Sequence, residues 1–155
     1  MSMSARLKSF LDENHVRYTL MTHSPAYTAQ TAAHTMHIPG REVAKTVVVR
    51  AGKETMLAVV PASCHVNLMR LGKLVGSETR LASEAEFIDK FPDCELGAMP
   101  PFGNLYMLPV YVDEKLAADE EIVFNAGTHR DAIRMRFEDF SKLAHPTIGG
   151  FADKG

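Results

Sequence analysis

The chain has 155 residues, of which 46% are hydrophobic and 23% are charged, a composition typical of one globular domain. Its formal net charge of −2 argues against a protein that coats nucleic acid non-specifically, although a local basic pocket remains compatible with it. No apolar stretch approaches the roughly 20 residues of a membrane span, and the cysteines Cys64 and Cys94 form no metal or redox motif. We therefore expect a cytoplasmic protein with neither a membrane nor DNA as its partner.

The hydrophobic periodicity of the first half predicts helices and strands in alternation. A helix near the N-terminus is followed by a short strand, a second helix that Thr28 can cap, and a β-hairpin across Ala51-Gly52-Lys53. The predicted ranges are 4–14 and 29–34 for the helices, 16–20 for the first strand, and 45–50 and 55–61 for the hairpin.

The second half continues this alternation. It contains Ser83-Glu84-Ala85-Glu86, the pattern of a capping box that begins a helix. The other predicted elements are helices over 66–74 and 138–143 and strands over 105–112, 121–125 and 132–137. We expect residues 145–155 to form a loose tail. Mixed strands and helices with a hairpin indicate an α+β, mixed-sheet α/β fold in a single domain, 1–155, whose core spans about 14–144.

Lys45 stands at the head of the apolar, β-branched run Thr46-Val47-Val48-Val49. A lysine at the mouth of a buried strand holds a cation beside the core, where it suits a phosphate or carboxylate ligand. A lysine that caps a strand end in solvent gives the same sequence pattern, and position alone favours that simpler explanation. Two later segments favour the ligand-binding explanation.

The first of these segments is a proline-rich loop between Glu95 and Gly103, in which Pro100 and Pro101 follow Gly97. Paired prolines exclude a regular helix or a central strand, and glycine permits a positive φ or a close backbone approach. A stiff loop with free amides can hydrogen-bond a carbonyl or an oxyanion without reorganising. A tight surface turn between a helix and a strand explains the same residues equally well.

The second segment is the turn that contains Asn125, Gly127, Thr128 and His129. A strand end, a glycine turn and a histidine are typical of a rim that faces a ligand. A hairpin connection of type I′ would use Asn125 and Gly127 for turn geometry alone. That alternative is strong for Asn125 and weaker for His129.

Together these segments resemble the YbaK/ProRS-associated family of aminoacyl-tRNA deacylases, also called the INS-domain or ProX superfamily. The resemblance rests on Lys45 at the opening of a strand, the Gly-x-x-x-Pro loop from Gly97 to Pro101, and the Gly-x-His turn from Gly127 to His129. It covers nearly the whole chain, from about 14 to 144. The fold that it implies has a central sheet, flanking helices and a substrate pocket.

This resemblance implies a hydrolase that removes a wrong, small amino acid from the 3′ end of a mischarged tRNA and acts in trans. It assigns catalytic roles to Lys45, which would contact the terminal phosphate or ribose, to Gly97, whose loop amides would hold the ester carbonyl, and to His129. The substrate-binding residues that it implies are Tyr27, Thr28, Met99, Pro100, Pro101, Gly127 and Thr128. We expect no metal and no other cofactor.

The implied chemistry is physically reasonable, because an aminoacyl ester is already an activated bond. A positioned water or vicinal ribose hydroxyl and an oxyanion site would suffice, which agrees with the lack of a credible nucleophilic triad. The resemblance suggests alanine on tRNA(Pro) as the leading substrate, with cysteine on tRNA(Pro) close behind. Prolyl-tRNA synthetase is a candidate partner that would deliver the tRNA.

Other interpretations of single residues remain open. His34 and His37 have an i,i+3 spacing that is compatible with a metal, although ordinary helix-end histidines fit better. Cys64-His65 suggests a thiol nucleophile, but neighbouring residues of one element point in different directions. Arg134 and Arg136 share one face of a predicted strand, where they would meet RNA phosphates or solvent.

Two other functions also remain open at this level. The same pocket in a non-catalytic module would bind tRNA ends or a synthetase without hydrolysis. An esterase of small acyl substrates would use the pocket without RNA, and dependence on intact tRNA separates it from the editing enzyme.

Overall fold

Residues 3–154, which the computed structural model describes, form a mixed β-sheet flanked by helices. The strands are β1 (Tyr18–Thr22), β2 (Val43–Ala51), β3 (Glu54–Pro61), β4 (Cys64–Val66), β5 (Arg80–Leu81), β6 (Val110–Asp113), β7 (Glu121–Asn125), β8 (Asp131–Arg136), β9 (Thr147–Gly149) and β10 (Ala152–Lys154). The α-helices are α1 (Ala5–Glu13), α2 (Ala29–Met36), α3 (Leu68–Val75), α4 (Glu84–Phe87), α5 (Glu114–Ala117) and α6 (Phe137–Ala144). Short 3₁₀ turns lie at Gly40–Glu42, Ile88–Lys90 and Gly103–Tyr106.

The large sheet has the strand order β1-β8-β7-β2-β3-β6-β9, and β5 pairs with part of β2. Its pairs β1–β8, β8–β7 and β2–β3 are antiparallel, whereas β7–β2, β3–β6 and β6–β9 are parallel. A separate two-stranded sheet joins β10 to β4. This mixed topology confirms the predicted α+β, mixed-sheet fold.

Local sequence signals explain several of these elements. Thr28 caps α2, because its hydroxyl accepts a hydrogen bond from the amide of Thr31 at 3.0 Å. Ser83 and Glu86 form the predicted capping box at the start of α4. Gly52 turns the β2–β3 hairpin with a φ of +62°, which a residue without a β-carbon adopts freely.

The two faces of β2 pack against different helices, because successive residues of a strand point to opposite sides. Ala44 and Val48 belong to the largest apolar cluster, which includes residues of α1 and α6. Val43 packs with residues of α2, and Val49 packs with residues of α3. Lys45 shares the face of Val43 and Val49, and it therefore projects between the α2 cluster and the α3 cluster.

The strand predicted over 105–112 is wrong in its first half. Gly103–Tyr106 is a 3₁₀ turn, Met107 has a φ of +59°, and β6 begins only at Val110. The turn is tight, since a β-carbon on Gly103 would lie 2.4 Å from the carbonyl oxygen of Leu108. The apolar run in the sequence therefore bends before it enters the sheet.

The prediction of a loose tail is also wrong. β9 extends the large sheet beside β6, and β10 pairs with β4. Between them, Phe151 is fully buried among residues of α3 and β3. The buried carboxylate of Asp113 accepts hydrogen bonds from the amides of Phe151 and Ala152 at 2.8 and 2.9 Å. This segment is part of the core.

We predict that Phe151→Ala lowers the free energy of unfolding by about 3–5 kcal/mol, the usual result of removing a buried phenyl ring. Ile148→Ala is the matched control, because Ile148 lies in the same segment but is 43% exposed. That control should cost about 1 kcal/mol or less. Urea unfolding measures both variants, and equal losses would contradict the packing described.

Candidate active site

A cleft lies where β2 separates from β7. The two strands pair at Val43 and Ala44, whereas further along β2 pairs with β5 at Val49 and Arg50. The cleft beside the intervening residues has a volume of about 460 Å³. Its lining consists of Tyr27, Thr28, Ala29, Lys45, Thr46, Val47, Val48, Leu81, Ala82, Phe87, Gly97, Met99 and Asn125.

Lys45 is half-buried at this cleft, two residues inside β2 rather than at its head. Its Nζ donates a hydrogen bond to the backbone carbonyl of Cys64 at 2.5 Å. Loss of hydration on burial lowers the pKa of the Lys45 ammonium below the usual 10.5, and the smaller electrostatic effect of the nearby Cys64 acts in the opposite direction. The structure thus holds a partly dehydrated cation at a fixed place in the cleft.

Two residues of the glycine–proline loop, Gly97 and Met99, line the same cleft as Lys45. Gly97 has a φ of +86°, a backbone conformation that favours glycine. Two backbone hydrogen bonds tie the loop to the β7–β8 turn: Glu95 N–H to Gly127 O at 2.7 Å and Gly127 N–H to Ala98 O at 3.0 Å. Ala98 N–H donates to Glu95 O, so an oxyanion site in this loop would use the amides of Leu96, Gly97 or Met99.

His129 lies behind this loop and does not line the cleft as defined within residues 3–154. Its Nε2 donates a hydrogen bond to the carbonyl oxygen of Leu96 at 2.7 Å. Its Cε1 is 3.5 Å from the place where a β-carbon on Gly97 would stand. The exposed ring of Tyr27 lies over the imidazole with centroids 4.9 Å apart. The histidine therefore supports the loop.

Glu95 also holds the loop in place, although no sequence pattern predicted a role for it. Its carboxylate accepts a hydrogen bond from the backbone amide of His129 at 2.7 Å. Loop and turn are thus joined by side chains as well as by backbone. The Nδ1 atom of His129 is buried, and no hydrogen-bond partner for it lies in the described part of the chain.

Four other predicted residues, Pro100, Pro101, Gly127 and Thr128, are also absent from the cleft lining formed by residues 3–154. Both prolines are buried. A β-carbon on Gly127, whose φ is +98°, would come within 3.0 Å of the Ser4 side chain. The hydroxyl of Thr128 donates to the Asp131 carboxylate at 2.7 Å. These residues shape the loop and the turn.

Asn125 is a cleft residue that sequence reasoning interpreted only as a turn former. It is the last residue of β7, and the parallel pairing of Ala44 with Phe124 brings it next to Lys45. The neighbouring Thr46 was missed as well. Only the parallel pairing of two strands that are distant in sequence reveals this juxtaposition.

The alternative sites suggested by the sequence gain no support. No group of three or more His, Cys, Asp or Glu side chains that could hold a metal occurs within residues 3–154. Cys64 is buried whereas His65 is exposed, so the two side chains point to opposite sides of β4. Arg134 and Arg136 share one face of β8 as predicted, and they line a separate depression with Arg17. None of the helices in residues 3–154 is long and apolar enough to cross a membrane.

The sequence profile of the aminoacyl-tRNA editing domain matches residues 23–143. The chain belongs to the aminoacyl-tRNA editing domain family. This assignment confirms the resemblance inferred from the lysine, the proline loop and the Gly-x-His turn. It also confirms the predicted class of enzyme, because members of this family are hydrolytic.

Two relatives resemble the chain over almost its whole length. The multifunctional Ser/Thr-tRNA deacylase ProXp-y of Escherichia coli (strain K12) is 26% identical over 152 residues, which cover 94% of this chain and 90% of the relative. The crystal structure of a putative trans-editing enzyme for prolyl tRNA synthetase superposes with a TM-score of 0.82 at 25% identity and covers 99% of both chains. A hypothetical protein of known structure shares the fold alone, with a TM-score of 0.85 at 17% identity over 96% of this chain and 99% of its own.

We predict that Glu95→Ala loosens the loop, because it leaves the His129 amide without its acceptor. The free energy of unfolding should fall by roughly 1–2 kcal/mol, and amide hydrogen exchange across residues 95–99 should accelerate. Glu95→Gln retains an oxygen acceptor and is the control, with exchange close to that of the wild type. Equal exchange in all three proteins would contradict the proposed support.

The lowered pKa of Lys45 predicts a pH dependence of stability. The folded state binds this proton less tightly than the unfolded state, so the ammonium weakens the fold at neutral pH, and the penalty disappears as pH rises towards 10.5. Between neutral pH and pH 10.5, the free energy of unfolding of the wild type should therefore increase relative to that of Lys45→Met. Lys53→Met, at an exposed hairpin position, is the control and should follow the wild type. Parallel curves for wild type and Lys45→Met would refute the assignment.

Proposed function

We propose that this chain hydrolyses the ester bond of mischarged aminoacyl-tRNA and acts in trans on tRNAs that carry a small amino acid. The observation that carries the proposal is that Lys45 and Gly97 line the same cleft. Membership of the aminoacyl-tRNA editing domain family supports the same chemistry.

Lys45 binds the negative or hydroxyl-rich end of the substrate. An ammonium has three donors, and its bond to the Cys64 carbonyl uses one of them. The remaining donors are directed to a phosphate oxygen or a ribose hydroxyl of the terminal nucleotide. Partial burial strengthens that interaction, because solvent screens the charge less than at an open surface.

The Gly97 loop stabilises the tetrahedral intermediate of hydrolysis. A water, or a water assisted by the vicinal ribose hydroxyl, adds to the ester carbonyl, and the negative charge that develops on the oxygen is held by loop amides. The bond between the carbonyl carbon and the ribose oxygen then breaks, and that oxygen takes up a proton. The products are the free amino acid and uncharged tRNA.

His129 and Glu95 act on this step through the loop. The histidine ring supports the Leu96 carbonyl, and the carboxylate holds the histidine backbone. A loop fixed by these bonds does not need to reorganise when charge develops on the substrate. His129 is accordingly a positioning residue in this proposal, rather than a general base.

The amino acid side chain in this proposal is small, because the cleft of about 460 Å³ also has to admit the ribose. Alanine or cysteine on tRNA(Pro) are the substrates that the family resemblance favours. A second candidate is serine or threonine, which is favoured by the polar side chains of Thr46 and Asn125 in the lining and by the Ser/Thr-tRNA deacylase relative. A cleft that hydrogen-bonds the hydroxyl of a serine or threonine substrate would reject alanine strongly. The relative rates of deacylation of Ala-tRNA and Ser-tRNA therefore distinguish the two candidates.

We further propose that the tRNA acceptor end is presented to this cleft in the cytoplasm, with prolyl-tRNA synthetase as a candidate partner. The structural similarity to a putative trans-editing enzyme for that synthetase supports this partner. Cross-linking to the synthetase in the presence of tRNA tests it, and a lack of cross-linked product would count against it.

The decisive experiment is deacylation of Ala-, Cys-, Ser-, Thr- and Pro-tRNA with a chelator present. We expect rapid loss of one or two small species and no effect of the chelator. Lys45→Ala should slow that loss by roughly a hundredfold, as expected for removal of a group that positions the substrate for reaction. Lys53→Ala is the matched control and should leave the rate unchanged.

Two outcomes of this experiment would overturn the proposal. No hydrolysis of any species by the wild type would indicate a non-catalytic module that binds tRNA ends or a synthetase. When small amino acid esters without tRNA are added to the panel, their equally fast hydrolysis would indicate a simple esterase.

A further inference from the structure

A second hollow, which we call the side pocket, adjoins the cleft. It has a volume of about 240 Å³, and residues of its lining include Phe87, Ile88, Phe91, Leu96 and Met99. Phe87 and Met99 also line the cleft, so the two spaces share a wall. Leu96 and Met99 flank Gly97 on either side in the sequence.

The chemistry of the side pocket suits a flat, uncharged ligand. The rings of Phe87 and Phe91 stand edge to face with centroids 6.3 Å apart, while Ile88 and Leu96 remain 55% and 43% exposed at its rim. Cys94 also lines it, and burial raises the pKa of this thiol to about 11, so the group is neutral at pH 7. The lining therefore offers apolar and aromatic contact.

Charge argues against an anionic occupant. Among the described residues, the lining of the side pocket contains the carboxylate of Glu95 and no lysine or arginine. One oxygen of that carboxylate accepts from the His129 amide, and the other can accept from an exocyclic amino group. A phosphate would meet repulsion here, whereas an amino-bearing nucleobase would find both a stacking surface and an acceptor.

We propose that the side pocket binds the nucleobase of the 3′-terminal adenosine while the cleft holds the ribose and its acyl group. This inference rests on the proposed function. The base is bonded to the same ribose that carries the ester, so a substrate whose carbonyl lies at the Gly97 loop must place its base within one sugar ring of that loop. The side pocket shares Phe87 and Met99 with the cleft, so a base placed there lies directly beside a ribose in the cleft.

The test uses acceptor-stem RNA whose terminal adenine is replaced by 2-aminopurine and whose amino acid is attached through a stable amide. Stacking in the side pocket should quench the fluorescence of the base when the wild type binds. The double variant Ile88→Gln, Leu96→Gln should weaken this binding roughly tenfold, because polar side chains replace the apolar contacts that the base makes at the rim of the pocket. Both substitutions are neutral, so charge repulsion with RNA does not contribute.

The same double variant is then assayed on ester-linked substrates. KM should rise roughly tenfold, kcat should stay within about threefold, and the order of preference among the amino acids should not change. Met107→Gln is the matched control, because Met107 is apolar and 93% exposed but lines neither space among the described residues. It should match the wild type in both assays.

Two results would overturn the inference. Unchanged fluorescence on binding of the wild type would exclude a stacked terminal base. A double variant that alters the preference among amino acids but not the fluorescence would assign the side pocket to the acyl group. A failure of the proposed function gives a different result from a failure of this inference. If the proposed function is wrong, the wild type hydrolyses none of the aminoacyl-tRNAs. If only this inference is wrong, the wild type still hydrolyses them and the double variant does so equally well. The fluorescence measurement does not depend on hydrolysis.

Discussion

The site depends on strand β2, one edge of which pairs with two different strands in succession. β2 is held along one edge by β3, while its other edge pairs first with β7 and later with β5. The backbone N–H and C=O groups of a strand normally pair along its whole length. Where the partner of β2 changes from β7 to β5, a gap opens between these two strands. Lys45 and Thr46 lie at this gap, which explains how a cleft with a lysine in its wall can open beside an otherwise apolar strand.

A second feature of the molecule is the mutual support of the proline loop and the β7–β8 turn. Neither segment forms regular structure, yet each supplies hydrogen-bond partners for the other through Glu95, Gly127 and His129. The Gly-x-x-x-Pro and Gly-x-His patterns are therefore one structural unit, although about thirty residues separate them. Pre-organisation of loop amides follows from this coupling rather than from the prolines alone.

Local signals made much of this architecture predictable from sequence. Caps, turns and alternating hydrophobicity identify α1, α2, the β2–β3 hairpin and β7, and local patterns also single out Lys45 and Gly97. No local pattern assigns Asn125 to the cleft, because only a parallel pairing across some 80 residues brings it beside Lys45. Phe151 was missed because a single buried ring between glycine and short polar strands carries no periodic pattern. Sequence windows report local preference, whereas these two residues owe their places to distant partners.

The parallel contact between β2 and β7 also has a kinetic consequence. The hairpin of β2 and β3 can form early, since its strands are adjacent in sequence, but closing the long loop to β7 is entropically slower. The cleft takes walls from the segment before α2, from β2, from the proline loop and from the end of β7. A partly folded chain with its hairpin in place would still lack the cleft. The cleft is complete only after the distant β2–β7 pairing has formed.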